Sequence, residues 1–273
     1  FEITVPRDPA VRAGVLVDDG IAYFGAGVFP HENVYLVAVR AADGAVVWRD
    51  DAISEADAYQ NEFSPQGYLL ATATRLFVPS GRALPVGFEK ATGQLAFSRK
   101  YAWRGEESGG NIGGTYALLV DNQIYTGSEQ HMIALDQETG RTGFAWFPGR
   151  RLTVAGSMAY LATGKEILAM DRTAYAEASK RRNSLEFRIK SLRTQLSSAT
   201  AAQAGAKIQQ DVERATQDLA QHRREKIEPA VKWRVACPHD AELILCGNLV
   251  LAGGKDEICA FDRQNGTCVW KAP

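Results

Sequence analysis

The sequence lacks any run of apolar residues near the roughly 18–20 needed to cross a bilayer, so no transmembrane segment is expected. It lacks a CxxC pair, which removes zinc-ribbon spacing. It lacks a dominant charge: 31 basic against 32 acidic side chains leave −1, so the whole chain is not built to attract nucleic acid. Its four histidines, His31, His131, His222 and His239, are scattered, and no GxSxG nucleophile turn accompanies them. The glycine-rich stretch GEESGGNIGG (105–114) is not a phosphate loop, because no Gly-Lys-Ser/Thr follows and the next pattern is a strand. The sequence opens on Phe1 rather than Met, with no signal-like segment, so a mature or excised piece of a longer chain is the expectation.

Cysteine is scarce too. Cys237, Cys246, Cys259 and Cys268 all fall in the last 37 residues. Buried thiols on strands are the first reading, since cysteine packs as a small hydrophobe. A disulfide within the last unit and a four-cysteine metal site stay open beside it.

What the sequence does have is a repeated frame. VYLVAVRAADGAVVWR around Gly44, LPVGFEKATGQLAFSR around Gly93, HMIALDQETGRTGFAW around Gly140 and EICAFDRQNGTCVWKA around Gly266 share one layout. A small and an apolar residue lead to a position that is usually acidic, as in Asp136 and Asp262. A glycine follows four residues later, and an aromatic four after that: Trp48, Phe97, Phe144 and Trp270. The acid can accept from the N–H groups of the turn it opens. The glycine supplies the positive φ that ends a short hairpin loop. The ring on the returning strand is expected to cover the small residue of an adjacent unit. A role repeated in every unit belongs to the scaffold, so no catalytic residue is assigned.

Each frame is preceded by a hairpin pattern such as YALLVDNQIYTG (116–127) or LILCGNLVLAGG (243–254), so one unit holds four strands. Turn glycines 44, 93 and 140 are 49 and 47 residues apart. Four strands per period of just under 50 residues predict an all-β chain, a β-propeller of about five four-stranded blades.

One unit is interrupted. Glu166–Asp171 starts the frame, but beyond Asp171 the turn glycine never comes. Tyr175–Glu228 is rich in Ala, Gln, Lys, Arg and Glu. Its apolar positions Leu185, Ile189, Leu192, Leu196, Ala199 and then Ile208, Val212, Ala215, Leu219 step 4-3-4. That is the spacing of paired helices, with Gly205 near the tip of an antiparallel coiled-coil hairpin. Strand pattern and the missing aromatic return at Trp233. The expected division is propeller over 1–172, helical insertion over 173–228, and propeller again over 229–273. The segment 174–228 carries 11 basic and 7 acidic residues, including Lys180-Arg181-Arg182 and Arg223-Arg224-Lys226 near the hairpin base. A solvated helix face is the plainer reading, and a docking patch for an acidic partner the sharper one.

The frame A-Φ-D-x-x-T-G-x-x-x-W/F resembles the repeats of the pyrroloquinoline-quinone-like β-propellers. That group includes quinoprotein alcohol dehydrogenases and the outer-membrane assembly lipoprotein. Ala134-Leu135-Asp136, Thr139-Gly140 and Ala260-Phe261-Asp262, Gly266, Trp270 carry the resemblance, while Arg40 and Glu89 depart from it at the acid position. The resemblance implies a ring of seven or eight blades, of which about five are present, with a closed five-bladed ring as the alternative, and a periplasmic or otherwise extracytoplasmic setting. It further implies that an enzyme of the group would hold calcium through carboxylate and amide oxygens beside the quinone. Glu106, Glu107 and Asn111 could offer such oxygens, though glycine-rich polar links between blades are common. No adjacent cysteine pair is present. The reading adopted is a non-enzymatic scaffold with no assigned cofactor or metal. Its partner is a protein or another domain of the parent chain. The alternative is part of a quinoprotein-like oxidoreductase using pyrroloquinoline quinone and calcium.

Overall fold

The acid-to-glycine turns set the architecture, because each closes a hairpin at a fixed register. The computed structural model describes residues 13–27, 34–51, 65–80, 84–98, 116–127, 131–198 and 202–273, without the side chains of 142–145 and 202–204. Phe1–Val5, His31, Ala199 and the GEESGGNIGG stretch with Glu106, Glu107 and Asn111 lie outside the described residues. The chain divides into two compact units, Phe1–Thr142 and Gly143–Pro273.

Five antiparallel sheets of four strands follow in chain order. The first holds β1 (Leu16–Asp18), β2 (Ile21–Ala26), β3 (Tyr35–Arg40) and β4 (Val46–Asp50). The second holds β5 (Leu70–Ala71), β6 (Arg75–Val78), β7 (Val86–Glu89) and β8 (Leu95–Phe97). The third holds β9 (Ala117–Val120), β10 (Gln123–Gly127), β11 (His131–Asp136) and β12 (Thr142–Pro148). The fourth holds β13 (Arg151–Ala155), β14 (Met158–Ala162), β15 (Glu166–Asp171) and β16 (Val231–Ala236). The fifth holds β17 (Glu242–Cys246), β18 (Leu249–Gly253), β19 (Ile258–Asp262) and β20 (Cys268–Ala272). Within each sheet every strand pairs with its neighbours in sequence, so among the described residues no sheet contains a crossover.

Third strands read as apolar runs because both of their faces are covered: β11 is buried from His131 to Leu135 and β15 from Ile167 to Met170. The fourth strand of the fourth sheet, β16, instead alternates half-buried and exposed residues. In the first unit Tyr23, Leu36, Ala38, Leu76, Val78 and Phe88 share one core cluster. In the second, Tyr160, Ile167, Ala169, Leu243, Val250 and Phe261 share another, together with Cys237 and Cys259.

Two helices interrupt the fourth sheet between β15 and β16: α1 (Arg172–Ser197) and α2 (Ala202–His222). A π-turn over Arg223–Ile227 and one further turn over Glu228–Ala230 deliver the chain to β16. The apolar seam is buried at Leu185, Ile189, Val212 and Ala215, and only half-buried at Leu192, Leu196, Ile208 and Leu219. On α1 the seam is therefore buried on the root side of Leu192, whereas on α2 it is buried at mid-helix.

Candidate functional site

The repeated turn comes first, because it decides what lies at the root of the helices. In each intact frame the acid-position N–H donates across the loop and the glycine N–H donates back to the acid-position carbonyl. The pairs are Asp136 N to Arg141 O at 2.9 Å and Gly140 N to Asp136 O at 2.8 Å, with Asp262 and Gly266 alike at 2.8 and 2.9 Å. Gly44, Gly93, Gly140 and Gly266 have φ between 64° and 76°, where an L side chain is strained. Asp136 Oδ1 accepts from the N–H of Glu138 at 3.1 Å and of Thr139 at 2.8 Å, and from the Thr139 hydroxyl at 2.7 Å. The Thr139 hydroxyl first, and those two amides after it, hold the Asp136 carboxyl below its usual range. Where the aspartate is replaced, ion pairs stand at the turn: Arg40 pairs with Asp43 at 2.6 Å, and Glu89 keeps the negative charge and pairs with Arg75.

The frame aromatics sit differently from the expectation. Trp48 lies opposite Ala38, Phe97 opposite Gly87 and Trp233 opposite Ala169, each in its own sheet. The small residue thus makes room for a ring of the same sheet, where Trp48 meets Tyr23 and Trp233 meets Tyr160 at 6.0 Å. What each ring covers in the following sheet is the turn glycine. A Cβ on Gly93 would fall 2.5 Å from Trp48, one on Gly266 2.6 Å from Trp233, and one on Gly140 would overlap Phe97. The two indoles also donate to the carbonyl just past the acid position, Trp48 Nε1 to Lys90 O and Trp233 Nε1 to Arg263 O, both at 3.0 Å. Trp270 is half exposed at 51%. The Phe144 side chain lies outside the described residues.

At the fourth frame the same carboxylate chemistry starts a helix. Asp171 Oδ1 accepts from Ala174 N at 2.9 Å, the bond that Asp136 makes to Thr139. An aspartate-opened turn and a helix N-cap are locally the same arrangement, so the insertion needs no new device to leave the sheet. Its first three turns are then tied to β12. The Trp146 N–H donates to Ser179 Oγ at 3.2 Å, and Arg182 Nη2 donates to the Trp146 carbonyl at 3.3 Å. Arg182 Nη1 donates to the Tyr175 hydroxyl at 3.1 Å, its guanidinium lies 5.9 Å above that ring, and Tyr175 stacks on Phe147 at 5.7 Å. On the other arm, Arg223 pairs with Glu186 at 2.7 Å and His222 Nε2 lies 2.8 Å from the Ala178 carbonyl.

The two basic triplets therefore split. Arg182 is half-buried and anchors α1 to β12, and Arg223 pairs with Glu186 while itself exposed, as Arg181 and Arg224 are. Beyond the root, α1 exposes Arg188, Lys190 and Arg193 together with Phe187, 43% exposed, whereas α2 carries Asp211, Glu213 and Asp218 against Lys207 and Arg214. One arm of the hairpin is basic and the other mildly acidic. A recess of about 470 Å³ opens at the root between Ala174, Glu177, Ala178, His222, Lys226 and Pro229. Sequence reasoning missed Tyr175, Ser179 and Arg182 as anchors. The Asp171-Arg172-Thr173-Ala174 start before a helical run was the signal available for the junction.

The family model described as outer membrane protein assembly factor BamB matches residues 32–273. No curated protein matches the sequence. The crystal structure of BamB from Moraxella catarrhalis superposes with a TM-score of 0.58 at 14% identity, over 97% of this chain and 65% of that one. The quinohemoprotein alcohol dehydrogenase of Comamonas testosteroni superposes at 0.53, 12% identity, over 97% and 43%. A europium-containing methanol dehydrogenase does so at 0.54, 13% identity, over 97% and 51%. At these identities the likeness is one of fold: the five sheets are propeller blades. The chain spans about 65% of the BamB structure's length.

Proposed function

From the premise that the chain belongs to the outer membrane protein assembly factor BamB family, we propose that it is a non-enzymatic propeller scaffold whose helical hairpin docks an acidic protein surface. The observation that carries the reading is the contrast between root and arm. Tyr175, Ser179 and Arg182 tie the first three turns of α1 to β12, and the helix as a whole runs about 39 Å at 1.5 Å per residue. The basic side chains Arg188, Lys190 and Arg193 sit on that outer length. A coiled-coil arm held firmly at one end and charged along its length presents a pre-ordered surface, which lowers the entropy cost of binding. The family setting supports an extracytoplasmic location and a protein partner or a further domain of the parent chain.

The quinoprotein reading rests on fold likeness. Among the described residues, the one gathered group of His, Cys, Asp and Glu donors is His239, Glu257 and Cys259, a mixed nitrogen, sulfur and oxygen set. Calcium beside a quinone asks for oxygen ligands, so that set does not fit it.

The experiment compares partner capture by the full chain with capture by Arg188→Glu/Lys190→Glu/Arg193→Glu, at low and high salt. The variant is expected to lose capture while keeping its thermal transition, and the wild-type interaction is expected to weaken with salt. Equal capture by the charge-reversed arm would refute the docking role. Substrate-dependent dye reduction on adding the quinone and calcium would move the assignment to an oxidoreductase.

A further inference from the structure

We propose that His239, Glu257 and Cys259 form a three-ligand zinc site where the link after the fourth sheet meets the fifth. This inference is independent of the hairpin's role. The donor atoms of His239, Glu257 and Cys259 all lie within 4.8 Å of one another. His239 Nε2 is 2.7 Å from Glu257 Oε2, and the Cys259 thiol is 3.5 Å from the same oxygen. Ligands about 2.0–2.3 Å from a tetrahedral zinc stand about 3.3–3.7 Å apart, so the set is within a small side-chain adjustment of closing on an ion. Glu257, at 39% exposure, is the donor free to make it.

The cluster is assembled from two elements that the sheets hold in place. Cys237 and His239 come from the link between β16 and β17, and the Cys237 N–H donates to the Lys165 carbonyl at 2.9 Å. Glu257 and Cys259 flank the start of β19, in a turn closed by Gly254 N to Glu257 O at 2.8 Å. Gly254 is the seat of the imidazole, since a Cβ there would overlap the His239 ring. Cys237 and Cys259 are each 2% exposed in the cluster between the sheets.

The electrostatics favour a cation. Burial, with the Glu257 carboxylate beside it, pushes the Cys259 thiol up to about 11. Burial also raises the Cys237 thiol, against a hydrogen bond from the His239 backbone. A divalent ion between the Cys259 sulfur and the Glu257 carboxylate would favour the thiolate, and the sulfur and imidazole donors suit zinc over magnesium or calcium. Zn²⁺ binding replaces the Cys259 S–H with a zinc–thiolate bond and releases that proton to solvent.

The test uses the full chain carrying Cys246→Ser and Cys268→Ser, which removes the two exposed thiols. Zn²⁺ titration is expected to raise Tm and to release protons, and Co²⁺ in its place to give a thiolate-to-metal absorption band. His239→Gln in that background should weaken Zn²⁺ binding at least 100-fold, while leaving the metal-free Tm nearly unchanged. Cys259→Ser should abolish the cobalt band. Absence of the band in the parent, or unaltered Zn²⁺ affinity in the folded His239→Gln protein, would overturn the site.

Discussion

The third and fourth sheets meet the same problem, how to turn a chain after an aspartate at the end of a buried strand, and answer it in opposite ways. Asp136 closes a five-residue loop through Gly140. Asp171 opens 59 residues, Arg172–Ala230, before β16 returns. The strands beyond the loop pair alike in both kinds of sheet. Trp233 lies opposite Ala169 with a register shift at Ala169/Met170, as Trp48 lies opposite Ala38 with a shift at Ala38/Val39. Sheet register is thus held by ring, small residue and bulge, and the turn is a replaceable closure.

The largest expected effect tests that equivalence. Gly93→Ala and Gly266→Ala each place a Cβ at positive φ and against an indole. Each should cost about 2–5 kcal/mol, from left-handed strain of about 1–2 and overpacking of about 1–3. Urea unfolding of both variants should give equal losses within about 0.5 kcal/mol. A much smaller loss at Gly266 would mean that the insertion leaves Trp233 loosely seated and that the two closures are not equivalent.

A smaller effect is expected when the insertion is removed. Replacing Arg172–Ala230 by the fifth sheet's own loop, residues 263–267, should leave a cooperatively folding chain. It uncovers Phe147, now 1% exposed under Tyr175, which should cost about 2 kcal/mol. Adding Phe147→Gln to the shortened chain should restore solubility without further loss of Tm. A non-cooperative transition in the shortened chain would show that the helices help hold the fourth sheet together.

How much of this was legible in the sequence depends on distance along the chain. The turn glycines could be read because a positive φ demands them, and the helix pair because its 4-3-4 spacing is local. The seat of the rings could not be read from spacing alone. Which glycine receives Trp48 is decided by how consecutive sheets stack, 45 residues away. Arg182 looked like its neighbours Lys180 and Arg181, since a basic triplet on a helix does not say which member faces an aromatic. The His239, Glu257 and Cys259 group combines residues 18 and 20 positions apart, with no metal-ligand spacing to announce it.

The smallest effect concerns the aspartates themselves. Asp136→Ala and Asp171→Ala should each cost about 1 kcal/mol, one as a turn acceptor and the other as an N-cap. They should part company in what else they change: Asp171→Ala frays α1 and lowers helical circular dichroism, whereas Asp136→Ala does not. Acid titration separates the charge from the hydrogen bonds. The folded Asp136 carboxyl lies below its ordinary 3.8, so the stability it adds is present above that value. It is lost as pH falls through the lower folded value. Asp136→Asn, which can still accept from Thr139, should therefore show a shallower fall in Tm over that acid window than the wild type. Identical acid profiles would mean that the carboxylate's charge adds nothing beyond its hydrogen bonds, and that either closure would serve with a neutral acceptor.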